Sequence, residues 1–276
     1  MKSHLALRLR FLPVLSMLNL AVLVLIARPM AVAEPIPVRH VNGTIHGFLE
    51  LRSEDGRVLA SGDVVRVAHG DQITSHVVFH FKDGSVDEDT TVFSQHRSFH
   101  LITDHHVQKG PSFPHPLEMT IDTRSGVVTV HTAGKDGKDE TNTSHMTLPD
   151  DLANGMLSFA IENLAAKATE DQVSMVVATP KPRLVKLVIT SSGEESFSIG
   201  GEARKANHYT VKIMLGGVAG VVAPLIGKEP QDLQIWTVGG EAPAMLREQG
   251  QLFADGPTWT IELASPAWGD ASRTEK

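Results

Sequence analysis

From Gly43 onward, apolar and polar residues alternate in short runs, and turn dipeptides separate the runs. Asp55-Gly56, Asp83-Gly84, Ser125-Gly126, Asp136-Gly137, Ser192-Gly193, Gly239-Gly240 and Asp255-Gly256 each stand between such runs. Glycine supplies the positive φ of a tight hairpin, and Asp or Ser tolerates the neighbouring position. The pattern predicts strands at 43–53, 57–68, 72–82, 88–95, 98–107, 117–123, 127–133, 140–147, 172–179, 184–190, 207–215, 232–238, 244–253 and 258–264. Val127-Val-Thr-Val130 and Leu184 to Ile189 are rich in β-branched residues, as strands prefer. A series of hairpins of this kind reads as an all-β chain: one curved antiparallel meander, a half-barrel or clam.

One segment changes period. Leu152, Met156, Phe159 or Ala160, and Leu164 fall on one helical face, with an Asp at 150 or 151 as the capping residue. An amphipathic helix is therefore expected over 151–166, its apolar side on the concave side of the sheet or acting as a lid on a ligand cavity. Two proline-bearing stretches, Lys109–Pro116 and Thr179–Arg183, read as connections, because proline removes a ladder donor. Asp87-Glu88-Asp89 lies beside a turn and reads as a solvated tip.

The stretch Ile213–Lys228, IMLGGVAGVVAPLIGK, fits none of these periods. It runs without charge from Ile213 to Gly227 and holds Gly216, Gly217, Gly220 and Gly227. It is shorter than the ~20 apolar residues that span a bilayer, and its glycines make a poor helix interior. It is not a phosphate loop: Pro224 interrupts the spacing and Glu229 stands where a hydroxyl is needed. Burial, a bound apolar ligand or a membrane surface would each satisfy it. The glycines favour a bend that approaches something closely, so Leu215, Val218, Val221, Val222, Leu225 and Ile226 are expected to line or border the main cavity.

Composition narrows the setting. Lys2, Arg8 and Arg10 precede the run Phe11–Ala27, and Ala31-Val-Ala33 offers small residues for cleavage. Residues 1–33 thus read as a secretory signal, or an uncleaved anchor, ahead of a single β-rich domain over 34–276. Its removal takes away four cations and no acid, so the net charge moves from −7 to −11. An acidic export product without a basic cluster is a poor nucleic-acid binder. The chain has no cysteine, which excludes disulfides, thiol chemistry and lipoprotein anchoring. Export without cysteine points to a bacterial envelope, periplasmic or extracellular.

Candidate chemistry is sparse. The 14 histidines include His105-His106 beside Asp104, with His115 further on. Neighbouring strand residues point to opposite faces, and no H-E-x-x-H spacing occurs, so no metal site is expected. No G-x-S-x-G elbow is present. No cofactor and no catalytic residue is assigned. Trp236 and Trp259 alternate with apolar neighbours and read as core.

The segment Gln234-Ile-Trp236 … Ala242-Pro-Ala-Met-Leu-Arg247-Glu-Gln-Gly250 resembles the closing strands of uncharacterised exported bacterial β-clam proteins. With the order signal, meander, helix, meander, the chain is loosely similar to periplasmic lipoprotein carriers as well. That resemblance implies acyl chains held between a curved sheet and helices; it supplies no catalytic residue. The function expected is a non-catalytic envelope protein that binds an apolar or amphipathic ligand, such as a lipid, or a membrane-associated partner. The alternatives are a hydrolase of envelope or extracellular polymers, or a structural interaction module. A close Asp–His–Ser set or a paired carboxylate in a cleft would favour the hydrolase.

Overall fold

A computed structural model describes residues 34–133, 138–165, 170–179, 181–199, 202–215, 230–240 and 243–264. The signal stretch 1–33 and residues 216–229 lie outside them.

Eight strands come first: β1 (Ile45–Ser53), β2 (Val58–His69), β3 (Gln72–Phe81), β4 (Val86–Ser94), β5 (His100–Lys109), β6 (Leu117–Asp122), β7 (Val127–Ala133) and β8 (Asp139–His145). A short helix, α1 (Leu157–Glu162), follows. Six more strands follow among the described residues: β9 (Glu170–Val177), β10 (Arg183–Ile199), β11 (Glu202–Met214), β12 (Leu233–Val238), β13 (Ala244–Gln251) and β14 (Thr258–Leu263). All belong to one antiparallel sheet of 14 strands, ordered β8-β7-β6-β5-β4-β3-β2-β1-β14-β13-β12-β11-β10-β9. The two meanders meet where β1 pairs with β14, Leu49 opposite Leu263 and Ser53 opposite Trp259. The sheet does not close, so β8 and β9 are its edges.

The alternation along each strand makes the curve. Ile73, Phe93, Ile121, Val128 and Val130 share one buried cluster with Leu187, Ile189, Val211 and Ile235. β7 and β10 stand near opposite ends of the strand order, so their residues meet only because the sheet wraps round. Between them sit Leu152, Ala153, Met156, Phe159, Ala160 and Ile161, each 1–2% exposed. A second cluster closes the other end around Phe79, Phe81, Phe113 and Trp259. There the rings of Phe113 and Trp259 meet edge to face at 5.9 Å. Such pairs add about 0.5–1.5 kcal/mol beyond area burial. Trp236, 7% exposed, also packs, stacked on His208 at 4.4 Å.

Three expectations change in detail. The helix spans Leu157–Glu162 only, starts after Met156 and has no side-chain cap. Gly155, at φ +61, breaks the turn before it, and residues 151–154 run along β9 instead. The apolar face expected of the longer helix is nevertheless the buried one. Ser192-Gly193 is not a turn but a bulge inside β10, which continues to Ile199. Asp87-Glu88-Asp89 is not a solvated tip: it lies within β4.

Candidate functional site

The correction at Asp87 and Asp89 opens the site. Both share the parity of Thr91 and Phe93, so they face the concave side. Across the β4–β5 ladder, Asp87 stands opposite Gln108, Asp89 opposite His106 and Thr91 opposite Asp104. Five polar side chains and a threonine therefore form a belt on the inner wall, between the helix-filled end and the aromatic end. The signal was present in the sequence: counting back by twos from the apolar Phe93 reaches Thr91, Asp89 and Asp87.

Each member has its own environment. His106 Nε2 lies 2.8 Å from Asp87 Oδ1. Burial alone would favour neutral imidazole, but the hydrogen bond and charge of Asp87, with the charges of Asp89 and Asp104, push His106 up to about 9. Thr91 Oγ1 donates within reach of both Asp104, at 3.0 Å, and Asp89, at 3.2 Å. Asp104 is 2% exposed. Burial and the adjacent Asp89 raise it well above the usual carboxylate range. Gly155 presses on this pair: a Cβ there would stand 1.8 Å from Thr91 Oγ1 and 2.6 Å from Asp104 Oδ1. Gln108 Nε2 reaches across the interior to the carbonyl of Leu252, at 3.0 Å.

Glu248 of β13 faces the same interior. It stands opposite Ile235 of β12 and Ile261 of β14. Burial, then the charge of Asp87, push it up to about 7. Protein surrounds it, yet it stays half-buried by exposure, so it lines space that water reaches. Among the described residues its carboxyl has no hydrogen-bond partner. From Glu248 the concave face becomes apolar: Leu233 precedes Ile235 by two positions and stands opposite Val211, and Ile213 and Leu215 continue that line.

A second polar group lies beside α1. The Arg66 guanidinium sits 4.0 Å over the Phe159 ring and donates to Asn42 Oδ1 at 3.1 Å. Burial raises Glu162 despite the nearby Arg66 charge, and its carboxyl accepts the Met245 N–H at 2.8 Å. Arg66 Nε, Asn42 Nδ2 and Ser75 Oγ are buried without a partner among the described residues.

Of the cavity residues read from the sequence, Leu215 is half-buried against the main core. Val218, Val221, Val222, Leu225 and Ile226 lie outside the described residues. His105 and His106 point to opposite faces as expected: His105 pairs with Glu118 at 2.9 Å on the outside. Among the described residues no group of three or more His, Asp or Glu could hold a metal ion. Among the described residues no hydroxyl bonds His106, so it does not complete an Asp–His–Ser set. A surface cleft of about 460 Å³ lies at the aromatic end, lined by Ser53, Glu54, Asp55, Pro257, Thr258 and Trp259. The ring of Trp259 is already engaged by Phe81, Phe113 and Phe253.

No family model matches the sequence, and no curated protein matches it. Solved structures similar to it include two of low sequence identity. A β-barrel-like protein of the domain of unknown function DUF1849 from Brucella abortus is similar over 82% of this chain and 97% of that one, with 8% identity and a TM-score of 0.47. The hypothetical lipoprotein YmcC from Escherichia coli is similar over 81% of this chain and 86% of that one, with 10% identity and a TM-score of 0.34.

Proposed function

We propose that the chain is an exported envelope protein that binds an amphipathic molecule with a basic head group, without acting on it chemically. The observation that carries this reading is Glu248: a carboxyl on the concave wall, without a hydrogen-bond partner among the described residues, beside the charge of Asp87. Buried charges are normally paired. A cationic group at that position supplies the missing partner and lowers the energy of the ionised form. The apolar line Leu233, Ile213 and Leu215 gives the rest of the ligand a surface to cover. Apolar walls with a few placed polar groups are the usual form of ligand sites.

Paired carboxylates occur here, which is the feature a hydrolase would need. Asp89 and Asp104 do not serve one, because Asp104 is sealed beneath Gly155. Native mass spectrometry of protein purified from its own envelope tests the binding reading. An adduct with an amine- or quaternary-ammonium-bearing amphiphile is expected; a bare polypeptide mass, or an adduct with anionic lipid only, contradicts it.

A further inference from the structure

The two edges of the sheet are treated differently. β9 is covered: Asp151–Asn154 runs beside it, with Ala153 N–H donating to Ser174 O at 2.8 Å and Ser174 N–H to Asp151 O at 3.0 Å. The Asn154 side chain then continues the ladder, accepting the Val176 N–H at 2.8 Å and donating to Val176 O at 2.9 Å. β8 pairs with β7 along its whole length, but among the described residues no backbone hydrogen bond reaches its other side. An open edge is a template for another strand.

From the sequence of β8, Asp139-Glu-Thr-Asn-Thr-Ser-His145, we infer that this edge pairs with β8 of a second copy of the chain. An antiparallel pair centred on Asn142 is self-complementary. Asp139 then faces His145 of the other copy at both ends, and Thr141 faces Thr143 twice. Asn142 meets its own counterpart, where two amides can exchange hydrogen bonds. The threonine pairing repeats one already made inside the chain, Thr129 to Thr143 at 3.3 Å. Parity is consistent too. Asp139, Thr141, Thr143 and His145 are exposed on one face, while Asn142 and Ser144 are half-buried on the other, and the pairing brings like face to like face. A slip of two positions sets Asp139 opposite a threonine and loses both ion pairs. Opposite charges across a ladder stabilise and like charges destabilise, so charge selects the register. The symmetry operator is a two-fold, as isologous pairing requires. The two concave sites stay on the same side of one continuous sheet.

Charge exchange tests the pairing. Sedimentation velocity should show the mature wild-type chain as a reversible dimer. Asp139→Lys sets a lysine against His145, and His145→Glu sets a glutamate against Asp139. Each alone should raise the dimer Kd at least tenfold, and the double variant should bring it back towards the wild-type value. All four side chains concerned are exposed, so thermal midpoints measured at low concentration should agree and separate misfolding from dissociation. A wild-type chain that stays monomeric at about 100 µM overturns the inference. So does a dimer indifferent to both single variants, or a double variant no tighter than the singles. Ligand binding at Glu248 should be unaffected by any of these outcomes, because Asp139 and His145 are exposed and the charge that acts on Glu248 is that of Asp87.

Discussion

At the scale of single residues, the concave belt is held by position as much as by charge. Gly155 shows this most directly. Its positive φ disfavours any side chain, and the space a Cβ would take is filled by Thr91 Oγ1 and Asp104 Oδ1. Gly155→Ala should therefore destabilise the protein by about 2–4 kcal/mol in urea unfolding, through strain and the broken contact together. An exposed turn glycine such as Gly56, with nothing within 4 Å of its Cβ position, should lose only the conformational part, about 1 kcal/mol. Equal losses at the two sites would show that Gly155 does not seal the pair. Nothing in the sequence announces Gly155 in this role. Asp87 and Asp89 were legible in principle, because strand parity fixes their side. Their neighbour Asp83-Gly84 made the acidic run look like part of a turn. Composition misleads there because three acids in a row are normally solvated, and only the register across to Asp104 and His106 shows that two of them are not.

At the scale of elements, the segment before α1 does more than the helix itself. Six helical residues cannot be stable alone, since isolated helices need about 12–15 residues. They persist because Phe159, Ala160 and Ile161 are buried between the walls of the sheet. The preceding turn anchors them through Asp151, which accepts from Ser174 Oγ and pairs with Lys186 Nζ, each at 2.8 Å. Asn154 supplies two more bonds to β9. Asn154→Ala should cost about 1–3 kcal/mol, because it leaves the Val176 N–H and C=O buried without partners. Hydrogen exchange at Val176 should quicken more than at Ile189, one strand further in. Uniform acceleration over both strands would mean that the segment does not cap the edge. The helical period of 151–166 revealed which side chains are buried but not their backbone, because a strand-like run and a helix can bury the same residues.

At the scale of the whole molecule, alternation and turn residues were enough to give an antiparallel meander of the right strand count. They could not show that the meander turns back on itself so that β1 joins β14, since that pairing depends on contacts between the two ends of the chain. The curve also brings β4, β5 and β13 to face one interior. Glu248, from the far end of the sequence, meets the field of Asp87 only for that reason. The apolar stretch after Leu215 is the clearest feature of the sequence, and its residues 216–229 lie outside the described ones.

Binding of a cationic amphiphile at Glu248 is tested most directly by calorimetric titration of dodecyltrimethylammonium into the wild-type protein and Glu248→Gln, at about pH 5 and about pH 8. Glu248 is pushed up to about 7, so its carboxyl is neutral at the lower pH and charged at the higher. His106, pushed up to about 9, stays protonated at both and does not contribute to the difference. Wild-type affinity should rise about tenfold between the two, some 1.4 kcal/mol, and Glu248→Gln should hold the low-pH affinity throughout. Equal affinity of the two proteins at the higher pH, or tighter binding of laurate than of the cation, would contradict the assignment.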